Sequence, residues 1–303
     1  MMSSLSITSA AVAERTAELT IVSNTRTMAP TPAMRDTRSM PGAGTWERCE
    51  VQWVSYTVDD DGVAIISMNR PERLNAWGSE MAADLTEAFQ RYNDDRSARV
   101  AILRGEGRAF CVGADAKEYT ERRGSWSSQP REEMGIFGQG KLFKPVIGAI
   151  QGHCLGAGLI LLAVRCDIRI AAEDALFGLP EVAVGIVNCE VPLANQAIPT
   201  CLLMEMSMTA ESIDAHRALA HGMVNKVVPN DQLMDEALKM ARTIAKHSPL
   251  AVKLSKENLL SAIAVTQQAK DEEIRIYNLS SHSADAIEGF EAHVQRRQPA
   301  WRS

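Results

Sequence analysis

Gln151-Gly152-His153-Cys154-Leu155-Gly156-Ala157-Gly158 is the stretch whose reading decides the fold. It follows the short apolar run Pro145 to Gln151, which reads as a buried strand. It opens the apolar run Leu155 to Val164, which its glycine-flanked start marks as a helix, and Asp167 to Ala171 then reads as another strand. The run Leu155–Val164 is also too short to cross a bilayer, so no membrane segment is expected. Short strands alternating with helices predict an α/β fold.

The same alternation extends outward. Towards the N-terminus, Val51 to Val58 reads as a strand, Asp59-Asp60-Asp61-Gly62 as a turn, and Val63 to Met68 as the return strand of a hairpin. Arg70 to Ala76 is a loop, because Pro71 ends the strand. Ser79 is the expected cap of a helix reaching Asn93, with Met81, Leu85, Ala88 and Phe89 on one face. Val100 to Arg104 is a buried strand, followed by the small-residue loop Gly105 to Gly113. Residues 118–140 are polar and weakly patterned, readable as a pocket cover or as a solvated loop. After Thr209 the signals are helical: Glu211 to Ala220, Asp231 to His247, Leu250 to Ala264 and Gln267 to Ser281. The expected organisation is a disordered extension over 1–47, a β-rich core over 48–208 and a helical region over 209–303.

Composition narrows the functional classes. Of 303 residues, 46% are hydrophobic and 23% charged, with a net charge of −6, so no basic face for nucleic acid is expected. The six cysteines form no C-x-x-C pair and several sit in apolar runs. They read as buried thiols rather than a zinc site or disulfide framework, which fits a reducing, cytoplasmic setting.

Three segments can carry chemistry. Arg108 to Lys117 is a loop of small residues, which lets a ligand approach the backbone; on this segment alone a tight structural turn is the better explanation. Gln151 to Gly158 opens a helix, whose first N–H groups are unsatisfied and suit a developing oxyanion; close packing of helix on strand is the plainer explanation. One donor from each loop would form an oxyanion hole for a thioester oxygen turning into an enolate. In Ala175 to Ile186, Glu181 lies among small and apolar residues, where desolvation raises a carboxyl pKa towards neutrality; an exposed loop acid is the bland alternative.

Taken together and in this order, these segments resemble the enoyl-CoA hydratase/isomerase (crotonase) family from about Val51 to the C-terminus. The matching stretches are residues 70–76, 107–115, 152–159, 166–175, 177–182, 222–229 and 288–299. The resemblance implies a spiral of ββα units with a helical C-terminal region, a homotrimer or dimer of trimers, and an acyl-CoA substrate. It implies no cofactor beyond the CoA moiety and no metal. Position by position, Ala114 and Ala157 would supply the oxyanion N–H groups, and Leu74 and Ala76 would line the CoA groove. Arg73 and Lys117 would contact CoA phosphates, with Asp115, Ala116 and Gly158 beside them in the binding segments. Arg296 and Arg297 match a basic tail pair that can face CoA. For all four basic residues, solvated surface charge is an equal alternative.

The chain departs from the family in two places. Two-acid hydratases carry a first glutamate where this sequence has Ile160, or Leu161 if the segment is aligned backwards from Cys166-Asp167, a register that would move the donor to Gly158. Glu181 is then the sole evident acid/base, which points to an isomerase or an atypical hydratase/lyase. An ordinary hydratase with a replaced first acid, or a weak CoA-binding protein, is the alternative. After Gly185, the family's Gly-Ala-Gly-Gly is replaced by Ile186 to Pro192, where Glu190 is a remote second acid and Cys189 a remoter nucleophile. His153 is read as a packed structural residue. Trp77, Met81 and Trp126 are positional guesses for the acyl pocket.

Overall fold

A computed structural model of the chain describes residues 49–51, 53–121, 142–187, 194–195, 197–262, 271, 275–278 and 281–301. These residues lie within one compact unit, Thr45–Ser303. The expected disordered extension, Trp126, Cys189 and Glu190, most of segment 118–140 and most of the helix expected over Gln267–Ser281 lie outside the described residues.

The described strands are β1 (Cys49–Val51), β2 (Val54–Val58), β3 (Val63–Met68), β4 (Val100–Gly105), β5 (Val146–Ile150), β6 (His153–Leu155), β7 (Ile168–Ala172), β8 (Leu176–Gly178), β9 (Ile213–Asp214) and β10 (Lys226–Val228). The helices are α1 (Ser79–Asp94), α2 (Ala116–Glu121), α3 (Ala157–Arg165), α4 (Thr200–Thr209), α5 (Ala215–Ala220), α6 (Leu233–Ala245), α7 (Pro249–Ala262) and α8 (Ala284–Gln295). The main sheet runs β1-β2-β3-β4-β5-β7-β10, and a smaller one runs β6-β8-β9. From β3 to β10 every pairing in the main sheet is parallel.

A parallel sheet needs cover on both faces, and strand alternation supplies it. Val100 and Ile102 of β4 join Val63, Ile147 and Ile170 in one layer, closed by Leu233, Ala237 and Ala241 of α6. Ala101 and Leu103 point the other way, into a larger cluster with Leu85 and Phe89 of α1 and Leu159 to Leu162 of α3. The helix opened by the Gly156 stretch is therefore a core element, as its run of apolar residues up to Arg165 requires.

Several boundaries differ from the sequence reading. The run 51–58 is not one strand: Val51 pairs with Val54, so the chain reverses between β1 and β2. Trp53 leaves the ladder there and gives its N–H to the Asp84 carboxylate at 2.7 Å. Ser79 is the first residue of α1 and not its cap. Its N–H donates to the Glu118 carboxylate at 3.2 Å and its hydroxyl makes a second, short contact to the same group. The segment beyond 209 is not purely helical, since it contributes β9, and β10 extends the main sheet beside β7. Asp214 caps α5 by accepting the Arg217 N–H at 2.7 Å, which shortens the helix expected over Glu211–Ala220. Helices α4 and α8 were not expected from periodicity; in α4, apolar side chains face both inward (Leu202, Leu203, Met206) and outward (Met204, Met208), blurring the stripe. No helix among the described residues is long and apolar enough to cross a membrane.

Candidate active site

The segment 111–115 runs between two others. On one side Cys111 N–H donates to His153 O (3.0 Å) and Leu155 N–H to Cys111 O (2.9 Å). On the other, Trp77 N–H donates to Gly113 O and Asp115 N–H to Trp77 O, each at 2.7 Å. A parallel bridge of this kind uses the groups flanking Ala114, so Ala114 turns its own N–H away from Trp77. Ala157 is the first residue of α3, where an N–H has no partner within the helix. Among the described residues, neither the Ala114 nor the Ala157 N–H has a backbone acceptor. Both residues are partly exposed, and Gly158 packs its α-carbon against Cys111.

The two loops meet through glycines. A β-carbon on Gly113 would sit 3.0 Å from Leu155 O and 3.4 Å from Gly156 Cα. Gly156 has φ 52° and ψ −122°, a backbone state that disfavours any side chain. A β-carbon there would lie 2.6 Å from Glu181 Oε1 and 3.6 Å from Gly113 Cα. The Glu181 carboxylate thus closes on the glycine strip joining the two donor peptides.

Glu181 is carried by the 3-10 turn Pro180–Val184. Pro180 starts the turn with its φ pre-set, and Gly185 ends it at φ 76°, donating its N–H to Glu181 O and Val182 O. Helix α8 backs this turn, with Gly185 against the Asp285 carbonyl and Gly289 against Val184. The same helix stacks Phe290 on Tyr119 of α2, ring centroids 3.7 Å apart, and the Tyr119 hydroxyl donates to Ser281 O at 2.8 Å. Burial raises the Glu181 pKa from 4.5 to about 7, against a small opposing pull from its own N–H. Ile160 and Leu161 are fully buried in the core cluster, so both positions where a first acid was sought are aliphatic.

The expected CoA-contacting residues fall on adjoining segments. Leu74 and Asn75 both have φ 54°, Leu74 O accepts the Val112 N–H at 3.2 Å, and Ala76 is buried. Arg73 is exposed, and Lys117 is exposed with Glu121 3.7 Å away. Ala116 starts α2 and is half-buried. Asp115 is buried, and its carboxylate is already engaged: it accepts from Arg70 Nη1 (2.9 Å), Lys117 N–H (3.1 Å) and Glu118 N–H (3.3 Å). Arg297 is held by both oxygens of Glu288, at 2.5 and 3.0 Å, while Arg296 is exposed in a left-handed C-cap. His153 is exposed rather than packed. Trp77 and Met81 are buried. Cys111, Cys154 and Cys166 are buried free thiols, and burial pushes Cys111 and Cys166 up to about 12, which disqualifies them as nucleophiles near neutrality.

Sequence reasoning passed over the residues that lock these loops together. Asn75 is wholly buried; its carboxamide oxygen accepts the Arg70 N–H (2.9 Å) and its nitrogen donates to Glu106 O (3.0 Å) and Ala109 O (2.9 Å). Gln151 Nε2 donates to Gly105 O at 2.5 Å and Gly107 O at 3.1 Å. An asparagine just after Pro-x-x-Leu was the available signal, since asparagine tolerates the left-handed region.

Comparisons with known proteins agree with one another. A family model described as enoyl-CoA hydratase/isomerase matches residues 59–303. An (E)-benzylidenesuccinyl-CoA hydratase of Thauera aromatica is 37% identical over 254 residues, covering 79% of this chain and 95% of the relative. A carnitinyl-CoA dehydratase of Proteus mirabilis is 36% identical over 248 residues, covering 78% and 94%. The crystal structure of a carnitinyl-CoA hydratase from Mycobacterium avium superposes with a TM-score of 0.75 at 30% identity, covering 84% of this chain and 99% of that one.

Proposed function

The chain belongs to the enoyl-CoA hydratase/isomerase family, an enzyme family acting on CoA thioesters, and from that premise we propose that Glu181 is its single acid/base. In this reading the thioester oxygen sits between the Ala114 and Ala157 N–H groups. Glu181 takes the proton from the carbon next to the carbonyl, or returns it, while the two donors carry the charge that develops on oxygen. The observation that supports this most is the 2.6 Å between a β-carbon position on Gly156 and Glu181 Oε1, which sets the carboxylate against the glycine strip linking both donors. A carboxyl with a pKa of about 7 serves equally as acid and base near neutrality.

For the net reaction we propose addition or removal of water beside the thioester. The printed names of the relatives, a hydratase and a dehydratase at 36–37% identity, favour it. A second reading, double-bond isomerisation, is favoured by the aliphatic Ile160 and Leu161, which leave no carboxylate there to activate water. Arg73, Leu74, Ala76, Ala116, Lys117 and Gly158 are the proposed CoA contacts. The chemistry calls for no cofactor beyond the CoA moiety and no metal. We propose a homotrimer or dimer of trimers, a fit for the exposed Leu250, Leu254 and Leu259 of α7, and a cytoplasmic setting, a fit for the free thiols.

Incubation with a panel of acyl-CoA thioesters in deuterated water, read by mass spectrometry, tests both levels. Added water mass identifies hydration, whereas deuterium beside the carbonyl without added water identifies isomerisation or exchange. Glu181→Gln is expected to fold and to lose at least about a hundredfold in turnover. Near-normal turnover in that variant would sink the single-acid reading.

A further inference from the structure

We propose that Arg70 and Asp115 form a positioning pair that aims the Ala114 N–H at the thioester oxygen, an inference that rests on the oxyanion-hole reading above. Asp115 directly follows the donor residue and is fixed at three points. Its N–H donates to Trp77 O, one carboxylate oxygen caps the start of α2 through Lys117 and Glu118, and the other accepts from Arg70 Nη1 at 2.9 Å. The acid's side chain is 8% exposed and the arginine's 19%.

Arg70 is equally constrained. Its guanidinium lies 4.9 Å from the centre of the Trp53 ring, on the segment that joins β1 to β2. Its N–H donates to the Asn75 side chain, and its carbonyl accepts from Arg73 and Asn75 N–H, each at 3.0 Å. Among the described residues the buried Arg70 Nε has no hydrogen-bond acceptor; the exposed Glu72 carboxylate lies 3.9 Å from it. A partly enclosed guanidinium with one buried nitrogen unsatisfied leans on its close partner Asp115, because the exposed Glu72 at 3.9 Å offers only weak compensation. The pair therefore ties the left-handed loop at 74–75 to the peptide after Ala114. With Ala114 held between Gly113, bonded to Trp77, and Asp115, bonded to Arg70, its N–H has little freedom to swing.

A positioning role and a simple charge effect predict opposite outcomes for one variant. Asp115→Asn keeps the cap on α2 but turns an amide towards Arg70 and leaves its positive charge unbalanced near the site. If charge alone mattered, that change would strengthen stabilisation of an oxyanion. If aim matters, it weakens it.

The probe is acetoacetyl-CoA. Its methylene loses a proton to Glu181 or buffer, the electron pair spreads onto the thioester oxygen, and the resulting enolate absorbs in the near ultraviolet. At saturating probe, Asp115→Asn and Arg70→Met are each expected to lower the bound enolate fraction at least about tenfold, below the cost of removing an oxyanion donor outright. Affinity for the probe should change by no more than about threefold, and the double variant should be no worse than either single one. Arg70→Lys, the mildest change, keeps the test open if the methionine variant does not fold; it is expected to lose several-fold. A wild-type enolate level in Asp115→Asn and Arg70→Lys, or a rise in Asp115→Asn, overturns the proposal. Failure of the wild-type enzyme itself to form the enolate instead overturns the oxyanion-hole reading.

Discussion

Replacing Glu181 by glutamine should stabilise the protein, and the gain should depend on pH in a way the site dictates. The folded-state pKa of about 7 stands above the ordinary 4.5, so the folded protein holds this proton more tightly than the unfolded chain does. At pH 4 both states carry the proton and the substitution is close to neutral. As pH rises from 4.5 to 7 the unfolded chain gives up the proton first, which favours unfolding. Above 7 the wild type bears the whole penalty: a shift of about 2.5 units at 1.36 kcal/mol per unit, or about 3 kcal/mol, an upper figure because the side chain is partly accessible. Glutamine has no charge to desolvate. Urea unfolding at pH 5, 6, 7 and 8 should show Glu181→Gln gaining on wild type across this window and levelling off above it. An advantage independent of pH, or a variant less stable than wild type at pH 8, would refute the claim that burial of this carboxyl raises its pKa.

The same titration should appear in catalysis: kcat/KM for proton exchange next to the thioester should rise with pH and level off above about 7 if Glu181 acts as base from its ionised form; a profile flat from 5 to 9 would exclude it. Gly156→Ala should lower kcat by about a hundredfold or more, because its β-carbon meets Glu181 Oε1 and its φ is 52°; steady-state kinetics with unchanged activity would contradict the geometry. Asn75→Ala should cost about 2–4 kcal/mol in chemical denaturation, since it strands buried partners at Arg70, Glu106 and Ala109; a loss under 1 kcal/mol would mean the loops are held by other contacts.

The parts of this protein that were legible in its sequence are those where one local rule dominates. The apolar run beginning at Leu155 became, from Ala157, the core helix α3 because nothing polar interrupts it before Arg165, whereas residues 153–155 form the strand β6. Asp59-Asp60-Asp61-Gly62 turned as written, with Asp59 accepting the Asp61 and Val63 N–H groups. The raised Glu181 pKa was expected from the apolar stretch around it, but its cause is burial in the fold, since the adjacent Val182 and Ala183 are themselves exposed. Features that depend on distant partners were hidden. Glu118 is one polar residue of the weakly patterned segment 118–140 until it folds beside Ser79, and Asp115 reads as a ligand contact until Arg70, 45 positions away, engages it. Helix α8 escaped notice because its buried residues, among them Ala286, Gly289 and Phe290, are mostly small and give a faint stripe. Its role is set by the glycine contacts at Gly185 and Gly289, which no periodicity encodes.

That contact has a consequence for how the enzyme matures. The segment holding Ala114 and the helix opening at Ala157 leave the ribosome well before residues 284–295 do. A nascent chain can therefore bring the Ala114 and Ala157 loops together while the Glu181 turn still lacks the helix behind it. The Glu181 turn is thus completed only once α8, much later in the chain, has been made.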